Sequence, residues 1–185
     1  RKKINKHEDW LPAIKIYGEG IFLKLDEDKV KIWEEKPEVI NHINKIQENH
    51  DALTAKRNMP TKIISPRFVL LHTLSHILID KLIYESGYHS ASLRERIYCS
   101  TNPNGSMAGL LIYTADGDSE GTMGGLVRMG EQGIIEDVFH NAIESARWCS
   151  ADPVCTEIGK RDGQGLEKIN LAACHNCCLL AETSC

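Results

Sequence analysis

The chain has 185 residues, 42% of them hydrophobic and 26% charged, and a formal net charge of −4 at pH 7. This is the composition of an ordinary folded domain and excludes a disordered or fibrous chain. The acidic balance excludes wholesale coating of nucleic acid but leaves room for a local basic patch. No run approaches the ~18 apolar residues that a membrane span needs.

The basic start, Arg1-Lys2-Lys3-Ile4-Asn5-Lys6, has no apolar core behind it and is not a secretory signal. The cytoplasm is then the expected compartment, where metal-bound or reactive thiols are favoured over disulfides. The chain opens on Arg1 and stops on Cys185, which predicts a fragment of a longer protein.

In chain order, Gly20-Ile21-Phe22-Leu23-Lys24-Leu25 reads as a strand and Asp26-Glu27-Asp28 as a polar turn. Lys29-Val30-Lys31-Ile32-Trp33 alternates polar and apolar residues, so the pair predicts a hairpin. Pro37 opens a polar helix with Val39, Ile40, Ile43 and Ile46 on one side, and Lys56 to Lys62 reads as a linker. Ser65-Pro66 has the residues of an N-cap and first helical position, and Gly87 suits the C-terminal end. The helix between them is apolar over most of its circumference, which places it in the core. A shorter helix from Ala91 to Tyr98, capped by Ser90, is expected next. Ala108 to Tyr113 reads as a buried strand, Asp116 to Gly121 as a loop, and Gly124 to Val127 as the start of a short element. Ile134 to Trp148 is amphipathic and leads directly into Cys149.

The predicted fold is α+β: a small antiparallel or mixed sheet packed on a long buried helix, with a C-terminal Cys-rich zinc module. The expected organisation is a hairpin-and-helix region over 1–60, an α+β core over 61–148 and the cysteine module over 149–185, within one compact domain.

Six of the seven cysteines lie between Cys149 and Cys185. Cys174-His175-Asn176-Cys177 has the spacing that lets one tight turn aim two thiolates at a single ion. A structural zinc needs four ligands, and the candidates are Cys149, Cys155, Cys174, Cys177 and Cys185. The favoured set is Cys174, Cys177 and Cys185 with either Cys155 or Cys149. Cys178 is disfavoured because side chains of adjacent residues diverge from Cys177, and His175 lies inside the turn. Buried free thiols are the bland alternative. A zinc deaminase is a poorer match: Ala173 stands where that signature has Pro, and spare thiols would fill the open position a hydrolytic zinc needs.

His72, His76 and Asp80 succeed one another at four-residue spacing on the long predicted helix. An i, i+4 His pair can chelate a metal, but Thr73 occupies the position where the metalloprotease motif has Glu. The bland reading is a polar seam where the helix meets another element. Asp116-x-Asp118-x-Glu120-Gly121 begins like a calcium loop, yet Val127 stands where a bidentate carboxylate is required. Arg94, Glu95 and Arg96 suit either phosphate contact or an ion-paired surface. There is no P-loop, no Gly-x-Ser-x-Gly elbow and no phospholipase D signature, so no catalytic residue is assigned.

Several stretches together resemble a known family: Leu70-Leu71-His72-Thr73-Leu74-Ser75-His76, Ser92-Leu93-Arg94-Glu95-Arg96-Ile97-Tyr98, Gly109-Leu110-Leu111-Ile112-Tyr113-Thr114 and Gly121-Thr122-Met123-Gly124-Gly125-Leu126. Trp10-Leu11-Pro12-Ala13 with Gly18 to Phe22, Asp152-Pro153-Val154-Cys155, Ala172 to Cys177 and Glu182-Thr183-Ser184-Cys185 extend the likeness over nearly the whole chain. This looks like the MrfA-type zinc-binding domain family, and within it the DrmB-type branch of the DISARM anti-phage system. The resemblance implies a structural Zn2+, because the family has a Cys-x-x-Cys, a third Cys and one upstream, matching Cys174, Cys177, Cys185 and either Cys149 or Cys155. The family continues past its last Cys with an acidic residue and further helix, whereas this chain stops there.

The resemblance also implies an accessory role beside a superfamily-two helicase, in defence or in DNA repair. The expectation is a non-catalytic domain that docks with a helicase subunit or domain, with DNA, or with both, and with no membrane and no small-molecule substrate. The acidic net charge favours protein docking over primary DNA binding. The alternatives are a metal-dependent nucleic-acid-processing enzyme using His72, His76 and Asp80, and a free-standing DNA-binding module in repair.

Overall fold

A computed structural model describes residues 13, 15, 17–89, 92–102, 105–114, 124–150 and 178. The fold over these residues is α+β, with a three-stranded antiparallel sheet in the order β1-β3-β2. The strands are β1 (Gly20–Lys24), β2 (Leu93–Ser100) and β3 (Met107–Thr114). The helices are α1 (Glu27–Glu34), α2 (Pro37–Lys56), α3 (Pro66–Ser86), α4 (Gly125–Met129) and α5 (Ile134–Ser145).

The sheet is built on period two. On β3, Ala108, Leu110, Ile112 and Thr114 are buried, and the register sets Ile21 of β1 and Glu95 of β2 on either side of Ile112. Against that face lies α3, begun by the Ser65 hydroxyl accepting from the Phe68 N–H at 3.2 Å and ended by Gly87 at φ 77°. Left-handed backbone there costs glycine nothing. Leu71, Leu78 and Ile79 are fully buried, each contributing about 1.5–3 kcal/mol through removal from water. Val138 and Ala142 of α5 and Leu126 of α4 complete the same core.

Two buried ionic groups fasten the periphery. The Glu19 carboxylate accepts backbone N–H groups of Gly124 (2.9 Å), Leu126 (3.2 Å) and Val127 (3.1 Å), capping the start of α4, and also accepts from the Tyr88 hydroxyl. The Arg67 guanidinium, 3% exposed, bonds Glu27, Glu34 and the Ser100 carbonyl, joining α1 and the end of β2 to the start of α3.

Two expectations are corrected. Residues 27–34 form α1, not the second strand of a hairpin, and β1 pairs with β3 instead. Asp26 caps α1 by accepting from the Lys29 N–H at 3.0 Å, and the acidic Glu27 and Asp28 suit the positive end of the helix. Residues 93–100 form β2, not a helix over 91–98. Leu93, Glu95 and Ile97 alternate with Arg94 and Arg96, and pairing along all of β3 outweighs local helix propensity. The long core helix, the buried strand near residue 110 and the amphipathic helix after residue 134 match expectation. The loop expected from Asp116 to Gly121 falls on residues outside those described.

Candidate metal centre

The pleat of β2 turns Leu93, Glu95 and Ile97 toward α3 and Arg94 and Arg96 to the exposed side. Glu95 thereby meets the first two members of the histidine stripe. Its Oε1 lies 3.1 Å from His72 Nε2 and 3.5 Å from His76 Nε2. The three ligand atoms all fall within 4.8 Å of one another. No fourth His, Cys, Asp or Glu among the described residues joins them.

Each member is held from behind. Glu95 Oε2 is bonded by the Ser75 hydroxyl, which also lies 2.8 Å from the His72 carbonyl. His76 Nδ1 lies 2.6 Å from the Cys178 carbonyl, so that nitrogen carries a proton and donates it. The His72 and His76 rings meet edge-on at 4.5 Å, and Phe68 leans on His72 at 5.4 Å. The His76 side chain is 4% exposed, that of Glu95 16% and that of His72 27%, so His76 is the innermost member and His72 the most open to water.

The electrostatics follow from this packing. Burial alone would raise the Glu95 pKa, but hydrogen bonds and charge attraction from His72 and His76 outweigh it and hold the carboxyl below its usual range. Burial alone would lower the His76 pKa, but Glu95 and the Cys178 carbonyl raise it overall. The cluster therefore carries a carboxylate that demands a positive centre beside it, whether proton or metal.

Asp80, the third member of the stripe, is exposed and stands apart, beside Ile77, Lys81, Ser145 and Trp148. An α-helix advances about 40° beyond a full turn every four residues, so eight residues carry Asp80 roughly 80° round from His72. Of the five candidate cysteine ligands, Cys149 is described and is buried just after α5. Cys155, Cys174, Cys177 and Cys185 lie outside the described residues. Cys178 contributes its backbone carbonyl to His76. Sequence reasoning missed Glu95 because its segment was read as a helix. The alternation of Leu93, Glu95 and Ile97 with two arginines was the signal that marked it as inward-facing.

The opposite face of the sheet has a different character. Cross-strand rows run Gly20–Tyr113–Arg94, Phe22–Leu111–Arg96 and Lys24–Gly109–Tyr98. Phe22 packs edge-on against Tyr98 at 5.6 Å, and its ring covers Gly109, where a Cβ would come within 3.0 Å of it. Arg96 lies over the Tyr98 ring at 5.6 Å. These three rows contain three cations, three aromatic rings and no carboxylate.

An α+β domain holding two imidazoles and a carboxylate together beneath its sheet, followed by a cysteine cluster, has the donor set of a metal-binding protein. The chain belongs to the family described as the MrfA Zn-binding domain, whose model matches residues 74–178. That span includes His76, Glu95, Cys149, Cys155, Cys174, Cys177 and Cys178, and leaves out His72 and Cys185. The chain is also similar to the DISARM protein DrmB of Bacillus paralicheniformis, at 36% identity over 97% of this chain. It spans about a third of that relative's length, 31%.

Proposed function

We propose that this chain is a non-catalytic zinc-binding accessory domain in DISARM-type phage defence, docking onto a superfamily-two helicase subunit and onto DNA. The observation that carries this reading is the likeness to DrmB along almost the entire chain. Membership of a zinc-binding family supports a structural zinc on Cys174, Cys177, Cys185 and one of Cys149 and Cys155. The bond between His76 and Cys178 supports a cysteine module folded back against α3. A closed thiolate site can contribute ~10 kcal/mol or more to folding a loop-rich segment.

Two surfaces support the docking. A groove of about 370 Å³ between α1, α2 and α3 is lined by Trp33, Val39, Ile43, Val69 and Leu70, and suits an apolar segment of a protein partner. The outer sheet face offers Lys24, Arg94 and Arg96 around Phe22 and Tyr98, which suits single-stranded nucleic acid: cations follow the phosphates and rings stack on bases.

The test is co-purification of the helicase subunit with the full-length protein that carries this domain, alongside single-strand binding by fluorescence anisotropy at rising salt. Leu70→Asp is expected to weaken helicase capture. Arg96→Glu with Lys24→Glu is expected to lower single-strand affinity at least tenfold and flatten its salt dependence. Helicase capture indifferent to Leu70→Asp would remove the groove from the proposal. Single-strand binding that is absent or salt-insensitive would remove the sheet face.

A further inference from the structure

The cysteine site proposed above takes one metal. The His72, His76 and Glu95 cluster lies on α3 and β2, distant in sequence from the Cys149–Cys185 segment though joined to it by the His76–Cys178 bond, and its ligand atoms are oxygen and nitrogen. We infer that His72 Nε2, His76 Nε2 and Glu95 Oε1 hold a second divalent cation of the zinc class, separate from the cysteine-bound one.

The distances carry the argument. A zinc ion with ligand bonds of 2.0–2.1 Å in tetrahedral geometry separates its ligand atoms by about 3.3 Å. The separations from Glu95 Oε1, 3.1 Å and 3.5 Å, lie on either side of that value, and the three ligand atoms all fall within 4.8 Å of one another. The 3.1 Å His72 contact also suits an N–H···O bond, whereas the 3.5 Å His76 separation lies beyond the usual range of a strong one. Two histidines four apart on a helix and a carboxylate from a neighbouring strand form a compact three-ligand set, and imidazole with carboxylate suits zinc.

The surrounding bonds point the same way. A metal-ligating histidine characteristically gives its other ring N–H to a carbonyl or carboxylate, fixing the tautomer. His76 does this with the Cys178 carbonyl at 2.6 Å, which directs the lone pair of Nε2 toward Glu95 and His72. The ligating carboxylate is bonded in turn, through Glu95 Oε2 and the Ser75 hydroxyl. A cation at this point neutralises a half-buried carboxylate, cross-links β2 to α3, and through His76 orients the Cys178 backbone.

This inference leans on the zinc reading only for the first equivalent, so the two fail separately. The experiment counts metal per chain by native mass spectrometry and elemental analysis on zinc-loaded protein, with folding checked by circular dichroism. Two equivalents are expected in the wild type. Glu95→Gln and, independently, His72→Ala are expected to lose one and keep the other. Cys174→Ser with Cys177→Ser is expected to show the converse loss. Cobalt substitution of that double-serine variant should give d–d bands without a thiolate charge-transfer band. His72→Ala guards against misfolding of Glu95→Gln, because His72 sits at the solvent edge. A single equivalent that neither His72→Ala nor Glu95→Gln alters overturns the second site. A single equivalent abolished by either set of substitutions overturns its separateness in favour of one mixed centre. A wild type that carries only the His72- and Glu95-dependent equivalent, unchanged in the double-serine variant, would instead overturn the structural zinc proposed above.

Discussion

His76 on α3 and Cys178 are 102 positions apart, yet His76 Nδ1 lies 2.6 Å from the Cys178 carbonyl. The imidazole is almost fully buried, the bond itself is partly buried, and its other end lies in the cysteine-rich segment. His76→Ala removes the donor and leaves a carbonyl to find another partner, at a cost of about 1–3 kcal/mol. The expected outcome is faster hydrogen exchange and proteolysis in the segment around residue 178, with α3 itself still protected. Equal protection in wild type and variant would show that the bond does not hold that segment.

Glu19 should govern part of the acid sensitivity. Burial works to raise its pKa, but the Tyr88 hydroxyl and the N–H groups of Val127, Leu126 and Gly124 outweigh it, so the carboxyl titrates below its ordinary 4.5. A carboxyl depressed on folding stabilises the protein above its unfolded pKa, and that stability is lost as pH falls through the lower folded value. Glu19→Gln keeps the shape and removes the charge. It should cost about 2 kcal/mol at pH 7 and very little once pH has fallen through the depressed folded pKa. Urea midpoints of both proteins across that range check this. The same bond pushes the Tyr88 hydroxyl up to about 12, so Tyr88 should resist ionisation in an alkaline spectrophotometric titration.

Arg67 is the least replaceable charged residue in the described core. Its removal leaves Glu27 and Glu34 facing each other without the guanidinium that bridges them. Arg67→Ala is expected to cost about 3 kcal/mol, at the low end for a buried pair because solvent still reaches both carboxylates. Arg67→Lys should recover only part of this, since an ammonium cannot reproduce the fork that bonds Glu34 through two nitrogens. Thermal unfolding midpoints in the order wild type, Lys, Ala would confirm the geometry, and equal midpoints for Lys and wild type would contradict it.

Chelation should separate the two halves of the molecule's stability. Among the described residues, the core around Leu71, Leu78, Ile79 and Leu82 is built by side chains of α3, the sheet, α4 and α5. Metal removal is therefore expected to leave most of the helical circular dichroism intact while the cysteine segment becomes protease-sensitive. Leu78→Ala tests the complementary half and should cost about 2–5 kcal/mol whether or not metal is present. Collapse of the whole helical signal on chelation would show that the core depends on the metal.

Much of this architecture was legible in the chain itself. The run from Phe68 to Ile83, framed by Ser65-Pro66 and Gly87, announces a core helix because cap chemistry and hydrophobic density act locally. The strand around Leu110 and the amphipathic helix after Ile134 are visible for the same reason. The family likeness was legible in the ordered series of short blocks, and the span of the family match bears it out. The segments 29–33 and 91–98 misled in opposite directions, since a short alternating run fits a strand or one side of a helix until its neighbours are known.

By itself, then, the sequence determined the α+β class, the central helix, the cysteine cluster and the i, i+4 histidine pair, all set by patterns within a few residues. Only the tertiary structure decided that Glu95, not Asp80, completes the histidine cluster, that β1 pairs with β3, and that a carbonyl at residue 178 reaches α3. Those are meetings of residues 19 to 102 positions apart, fixed by strand pairing and by which face of α3 the sheet covers. No local pattern encodes them, because their free energy comes from surfaces that come together only once the chain has folded.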